Sequence, residues 1–279
     1  MSRYVRPHSL DEALEALAGG GLSILAGGTD FYPARVGAAI EEDVLDITAI
    51  HELRGIRETE QGFRIGALTT WSDIAAARLP RYFDCLKLAA REVGGLQIQN
   101  AATVGGNLCN ASPAADGLPP LLSLGAEVEL TRADARRLVP LDRFITGNRA
   151  TVREPAELLT AIHVPRWDAS ARSYFRKLGA RKYLVISIAM VSVVLEVDAR
   201  GTIARCGFAV GSCSSVARRL PELERDLTGA VLDATLPERI RAEHLAGLTP
   251  ITDVRGTAEY RMDAARVLLR RTLETLSGE

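Results

Sequence analysis

Along this chain, apolar positions recur at helical spacing in some stretches and cluster into short strand-like runs in others, and the two patterns alternate. Leu10 to Leu17 spaces its apolar residues three and four apart and stops at Gly19-Gly20-Gly21, which predicts a short amphipathic helix. The apolar run Leu22 to Ala26 predicts a strand ending at Gly27-Gly28-Thr29-Asp30, and Val44 to Ile47 predicts another. A polar hairpin around Glu58 to Gly62 leads into Phe63 to Gly66 and a helix from Ser72 to Ala77 that Ser72 would cap. Leu86, Ala89, Ala90 and Val93 share a face of a helix within Arg81 to Val93, which Gly94-Gly95 stops. The chain then reads as loop through Asp116, until Pro119-Pro120 opens the apolar turn Leu121 to Leu124.

Short strands follow at Val128 to Leu130, Arg137 to Pro140 and Leu158 to Val164, and Pro165-Arg166-Trp167 reads as a domain exit near residue 170. Beyond it the pattern turns β-rich, with Tyr174 to Lys177, Val185 to Val197 and Ile203 to Val210 as strands and Asp198-Ala199-Arg200-Gly201 as a hairpin turn. Pro221 to Leu227, Pro237 to Leu245 and Ala258 to Leu276 predict helices packed on that sheet. A chain of 279 residues exceeds the usual single core, so two or three packed domains are expected.

Charge and cysteine content narrow the chemistry. The 34 basic and 35 acidic side chains nearly cancel, which removes the usual electrostatic case for a nucleic-acid or anionic-membrane partner, so any bound anion must be recognised locally. Cys85, Cys109, Cys206 and Cys213 form no Cys-x-x-Cys pair and have no histidine at ligand spacing, which leaves no metal site readable and suits reduced thiols in the cytoplasm. Met1 to Leu10 lacks the pattern of a signal peptide, and the longest apolar run, Tyr183 to Val197, is too short and too polar to span a membrane. His8, His51, His163 and His244 are scattered without a nucleophile motif, so hydrolytic chemistry is disfavoured.

Two Gly-Gly segments stand out, Ala26-Gly27-Gly28-Thr29-Asp30 and Thr103-Val104-Gly105-Gly106-Asn107. Such a segment either turns the chain at a strand end or offers consecutive, unhindered backbone N–H groups to phosphate oxygens. Thr29, Thr103 and Asn107 would add neutral donors. Asp116 either accepts from ribose hydroxyls or caps the turn before Pro119. Neither the Rossmann glycine fingerprint nor a P-loop is present.

These two segments, in this order and followed by Ser112-Pro113 and Asp116, resemble the two FAD loops of the flavoprotein (medium) subunits of the xanthine dehydrogenase and carbon monoxide dehydrogenase family of molybdenum hydroxylases. Ile65-Gly66-Ala67-Leu68-Thr69-Thr70, Pro120-Leu121-Leu122 with Gly125-Ala126, and Phe175-Arg176-Lys177 with Arg181 extend the resemblance over nearly the whole chain. It implies an α+β fold: a vanillyl-alcohol-oxidase (PCMH)-type FAD-binding domain over 1–168, made of two α/β subdomains (about 1–55 and 56–168), and a C-terminal α+β domain over 171–279 with an antiparallel sheet and helices. Carried over by position, Leu25, Ala26, Gly27, Gly28, Thr29 and Asp30 with Ala102, Thr103, Gly105, Gly106 and Asn107 would hold the pyrophosphate of non-covalent FAD. Asp116 would hold the adenosine ribose and Leu159 the adenine region, while Lys177 and Ile186 would approach from the C-terminal domain.

The resemblance further implies an iron–sulfur small subunit with 2Fe-2S clusters and a large subunit with a molybdenum cofactor, with electrons leaving the flavin for NAD or another acceptor. Two departures from the family pattern stand out: Gln99 replaces a common basic residue, and Tyr183-Leu184-Val185-Ile186-Ser187 replaces a version containing aspartate. Two other functions fit the same fold: a self-sufficient flavin oxidase or reductase, and a structural subunit that has lost FAD.

Overall fold

The computed structural model describes residues 2–278; Met1 and Glu279, the outer ends of the two expected domains, lie outside the described residues. Three main sheets and one two-stranded hairpin organise the described residues. The first is parallel: Tyr4–Val5 (β1), the helix Leu10–Ala18 (α1), Leu22–Leu25 (β2) and Asp43–Asp46 (β3) build a sheet of order β1-β3-β2. Ser9 caps α1 by accepting from the Glu12 amide, and Ala13, Leu14 and Leu17 bury its inner face against Leu45, Ile47 and Leu53. β2 lies at the edge of this small sheet, so no further strand flanks its outer side where the chain leaves it at Ala26.

The next unit runs through Ile56–Thr59 (β4), Gly62–Gly66 (β5), Trp71–Ala76 (α2), Asp84–Glu92 (α3), Leu96–Ala101 (α4), Val104–Asn110 (α5) and Leu118–Ser123 (α6). Glu127–Arg132 (β6), Ala135–Pro140 (β7), Leu141–Phe144 (α7), a small hairpin of Ile145–Gly147 (β8) and Ala150–Thr151 (β9), and Leu158–Pro165 (β10) complete it. Its sheet has the order β4-β5-β10-β6-β7, antiparallel throughout, with β10 pairing Ala161 to Gly66 on one side and to Glu129 on the other. Two expectations change here. Thr70, not Ser72, caps α2, in a reciprocal box with Asp73, while the half-buried Ser72 hydroxyl donates to the Asn100 side-chain oxygen. The stretch read as loop between Gly95 and Asp116 instead holds α4 and α5, and the second Gly-Gly pair lies inside the first turn of α5.

The last unit is a sheet of order β11-β12-β13-β14, from Arg172–Leu178 (β11), Ala189–Val197 (β12), Ile203–Gly211 (β13) and Arg218–Arg219 (β14), covered by Pro221–Leu227 (α8) and the long Ala258–Ser277 (α9). Val191, Val193, Leu195, Phe208 and Val210 face Leu269, Leu273 and Leu276 of α9. Pro237 to Leu245 forms two single 3-10 turns, not one helix, with Ile240 extended between them.

The opposite face of this sheet is joined to the preceding unit without a dividing solvent layer: Phe175, Met190, Val194 and Ala209 belong to the same core as Leu86, Leu118 and Leu121. Gly207 allows the contact, since a Cβ there would sit 2.0 Å from the Ser123 carbonyl oxygen. The buried Ser123 and Ser192 hydroxyls lie 2.7 Å apart, and the Trp167 indole donates to the Leu124 carbonyl under the Arg205 guanidinium. No helix among the described residues is long and apolar enough to cross a membrane.

Candidate functional site

The two Gly-Gly segments, 76 residues apart in the chain by their Thr103 and Gly27 positions, meet. Gly27 abuts the end of α4 so closely that a Cβ on it would lie 2.0 Å from the Ala101 carbonyl oxygen, and one on Gly106 would lie 3.9 Å from the Ala26 Cβ. The two glycines of the first segment serve different needs. Gly27 permits close approach, whereas Gly28 adopts φ +72°, a left-handed conformation that L side chains rarely take. Gly105 is likewise a packing glycine, its hydrogen pressed against Ala67.

The donors differ between the segments. In the second, the first turn of α5 is satisfied internally: the Val104 amide donates to the Thr69 carbonyl, Gly105 to Ala67, Asn107 to the Thr103 carbonyl, and Gly106 to the Thr103 hydroxyl oxygen. These amides hold α5 in place and are not free for a ligand, contrary to the reading of that segment as an open loop of donors. In the first segment, the N–H groups of Gly27, Gly28, Thr29 and Asp30 have no acceptor in the described chain, and the Thr29 hydroxyl is likewise unpaired. Adjacent, and half-buried except at the exposed Asp30, these residues form a row of unshielded donors. Leu25 is buried beneath them and its carbonyl accepts from Ile47, while the Ala102 carbonyl accepts from Trp71, so both segments are anchored from below.

In α5 the Asn107 side-chain oxygen is buried without a partner among the described residues, close to Gly117. Asp30 is exposed, and near an anion only its amide would contribute. Phe31 and Tyr32 stand edge-to-face at 5.4 Å immediately after the turn, Tyr32 folding over Gly28, and Arg35 stacks on Phe31 at 3.7 Å and donates to its carbonyl. None of these three was singled out from the sequence; the signal was an aromatic pair next to a glycine turn.

Asp116 and Lys177 come together, but on each other. The Lys177 ammonium lies 2.7 Å from one Asp116 oxygen and the Ser187 hydroxyl donates to the other at 2.7 Å, all three groups being buried. Burial pushes the Asp116 carboxyl above its usual range, and the attraction and hydrogen bond of Lys177 with the bond from Ser187 only partly offset it. The pair crosses from the first part of the chain to β11 and the loop after it. A carboxylate keeps further lone pairs beyond these two bonds, so Asp116 can still accept from a hydroxyl.

Ile186 is 53% exposed in the loop 179–187, with Tyr183 and Leu184 exposed beside it and Leu184 reaching Gly95. Leu159 is the outlier, its side chain packed in the main core of β10, so only its main chain could meet a ligand. A cavity of about 590 Å3 lined by Gln61, Phe63, Leu122, His163 and Arg219 includes no residue of either Gly-Gly segment. The chemistry favours the open row of free amides over that roomier hollow, whose polar side chains His163 and Arg219 already have carboxylate partners.

These features fit a diphosphate joined to a sugar: unshielded neutral donors and a left-handed glycine for the phosphates, and a carboxylate suited to a sugar hydroxyl.

Comparison with known proteins bears on the same residues. Residues 1–167 match the sequence family described as the FAD binding domain in molybdopterin dehydrogenase, and 173–276 match the CO dehydrogenase flavoprotein C-terminal domain. The carbon monoxide dehydrogenase medium chain of Afipia carboxidovorans is 33% identical over 280 residues, covering 97% of this chain and 95% of that one. The glyceraldehyde dehydrogenase medium chain of Sulfolobus acidocaldarius is 30% identical, covering 98% of both. A chain of the reconstituted CO dehydrogenase from Oligotropha carboxidovorans superposes with a TM-score of 0.89 at 30% identity, over 100% of this chain and 98% of that one.

Proposed function

The chain belongs to the FAD-binding medium subunits of the xanthine dehydrogenase and carbon monoxide dehydrogenase family, and on that premise we propose that it is the electron-transfer subunit of a molybdenum hydroxylase complex. Bound to it, FAD would supply the redox chemistry that links iron–sulfur clusters of a small partner subunit to NAD or another acceptor, the molybdenum cofactor residing on a large partner. The partners and the acceptor are inferred from relatives named as medium chains of dehydrogenases and as FAD-binding subunits of xanthine dehydrogenase.

The observation that carries the reading is the row of unpaired amides at Gly27 to Asp30, set against α4 and α5 by glycines that admit no side chain. In this reading those amides and the Thr29 hydroxyl hold the diphosphate, with Leu25, Ala26, Ala102, Thr103, Gly105 and Gly106 shaping the seat and Asn107 accepting from the ligand or from a water bound to it. Asp116 accepts from the ribose, the main chain at Leu159 borders the adenine, Lys177 fixes Asp116, and Ile186 shields the ring from water. The functional units are the FAD domain, 1–168, and the C-terminal domain, 171–279. Four free cysteines, three of them buried, support a cytoplasmic setting.

The test is direct. The purified chain is incubated with FAD and gel-filtered; it should emerge yellow, and heat should release the flavin intact. A small organic substrate should leave the absorbance unchanged without partner subunits, and NADH should bleach it if NAD is the acceptor. Protein that stays colourless refutes the reading in favour of a purely structural subunit; bleaching by an organic substrate alone refutes it in favour of a self-sufficient enzyme.

A further inference from the structure

The loop 179–187, which carries the exposed Tyr183, Leu184 and Ile186, is a long excursion between β11 and β12 and is held at few points. Leu184 sits at φ +52°, a conformation branched and bulky residues avoid, and the Arg181 guanidinium grips its carbonyl. At the base, the Ile188 amide closes on the Leu178 carbonyl at 2.7 Å. The Ile188 carbonyl would face the protein interior unpaired were it not for one side chain. Arg261, near the start of α9 and only 3% exposed, donates through one terminal nitrogen to the Ile188 carbonyl at 2.6 Å and to the Ser212 carbonyl at 3.1 Å.

Its other terminal nitrogen donates to Asp253 at 2.7 Å, in a turn whose Asp253 also receives the Arg255 amide. Ser212 is itself held in a left-handed conformation, and its amide donates to the Pro113 carbonyl, three residues before Asp116. One residue before Ile188, the Ser187 hydroxyl donates to Asp116. A single guanidinium therefore ties the base of this loop to the strand end that grips the 112–116 segment.

We propose that Arg261 is a positioning residue for the FAD-facing loop: it sets the loop 179–187 and the 112–116 segment in one register, so that Ile186 and Asp116 address the same bound cofactor. The proposal rests on the functional reading above, since it is the cofactor that gives the loop its purpose. Only a planar, forked cation serves here. A lysine at 261 keeps the charge facing Asp253 but cannot span both carbonyls and the carboxylate.

The loop supplies its own reporter, because Arg181 and Lys182 are tryptic sites within it. In the full chain, Arg261→Met and Arg261→Lys should raise the rate of cleavage at 181–182 by about tenfold, and should speed release of bound FAD by a comparable factor. Arg270→Met, which removes a donor to the Ile240 carbonyl from the same helix, is the comparison: matched for loss of Tm, it should leave both rates within about twofold of the unaltered chain. Cleavage at 181–182 unchanged in the Arg261 variants, or raised equally by Arg270→Met, overturns the proposal. Should Arg261→Met fail to fold, Arg261→Lys is read alone against the same comparison. If the unaltered chain binds no FAD, the functional reading fails, while the cleavage rates still decide whether Arg261 anchors the loop.

Discussion

A methyl group placed on Gly27 tests the seat of the diphosphate with the smallest change available. An ideal Cβ there lies 2.0 Å from the Ala101 carbonyl oxygen, 2.8 Å from its carbon and 2.9 Å from the Ala102 Cα, all main-chain atoms of the α4–α5 junction. No side chain can rotate aside, so the two segments must part by about 1 Å. That strain costs about 1–3 kcal/mol, as overpacking of a closed core does, and should lower Tm by roughly 2–5 °C for a chain of this size. The amides of Gly27 to Asp30 move with the segment, and a hydrogen bond stretched by about 1 Å is no longer one. Losing a single bond to a charged phosphate oxygen forfeits about 1.5–3 kcal/mol, a rise in the FAD dissociation constant of roughly 10- to 100-fold. Titrating FAD into deflavinated protein and following flavin fluorescence measures it directly. Gly247→Ala is the control, its Cβ position being open and its φ ordinary. Gly27→Ala binding FAD within about twofold of the unaltered chain, with Tm unmoved, would refute the reasoning.

Other outcomes follow from the same geometry. Lys177→Met strands the buried Asp116 carboxylate and should cost about 3–5 kcal/mol in urea unfolding, much of it recovered in the Lys177→Met, Asp116→Asn pair; equal losses in both would deny the pairing. Because the unpaired Asp116 would titrate well above its unfolded range, the Lys177→Met deficit should be larger at pH 8 than at pH 5, where the carboxyl takes up a proton. Glu129 behaves in the opposite sense: burial alone would raise its pKa, but hydrogen bonds from His163, Thr160 and Arg64 hold it far below the ordinary 4.5. Its contribution is therefore complete above pH 4.5 and lost as pH falls below it, so Glu129→Gln should lower stability at pH 7 and flatten the acid limb of a stability–pH curve. Burial raises the thiols of Cys85, Cys109 and Cys206 to about 11 and that of Cys213 to about 12, so a disulfide reagent at pH 8 should label the folded chain slowly and all four sites in guanidinium; rapid labelling of the native chain would contradict the packing.

How much of this was legible in the sequence depended on how local each determinant was. The edges of α1 and β2, the hairpin at Asp198 to Gly201 and the prolines opening α6 and α8 follow from periodicity and caps, and they appear where expected. Asp198 even accepts from the Arg200 and Thr202 amides, a turn written in its own residues. The helix α5 was not legible because its Gly105-Gly106 pair reads as breaker; what makes it helical is Thr103 capping it and the Thr69 and Ala67 carbonyls receiving its first amides, from a segment 35 residues upstream. The two glycine segments were visible as a pair, yet which of them keeps its amides free is a tertiary fact. The same holds for Asp116 and Lys177: both were read as facing a ligand, and only the packing of β11 against α3 reveals them as partners. Thr70 over Ser72 as the α2 cap is a shift of two residues that turns on Asp73 completing the box.

The bare contact between Gly207 and Ser123 decides how a ligand can come and go. With main chain pressed on main chain there, and Ser123 hydrogen-bonded across to Ser192, the C-terminal sheet and the α6 segment share one packed seam. With that seam closed, exchange of a cofactor held by the Gly28 turn is expected to proceed by local fraying, of that turn on one bank and of the stretch beyond Leu178 on the other. Residence time becomes a property of two short ribbons of chain, and changing it would require no alteration of the mass that carries them.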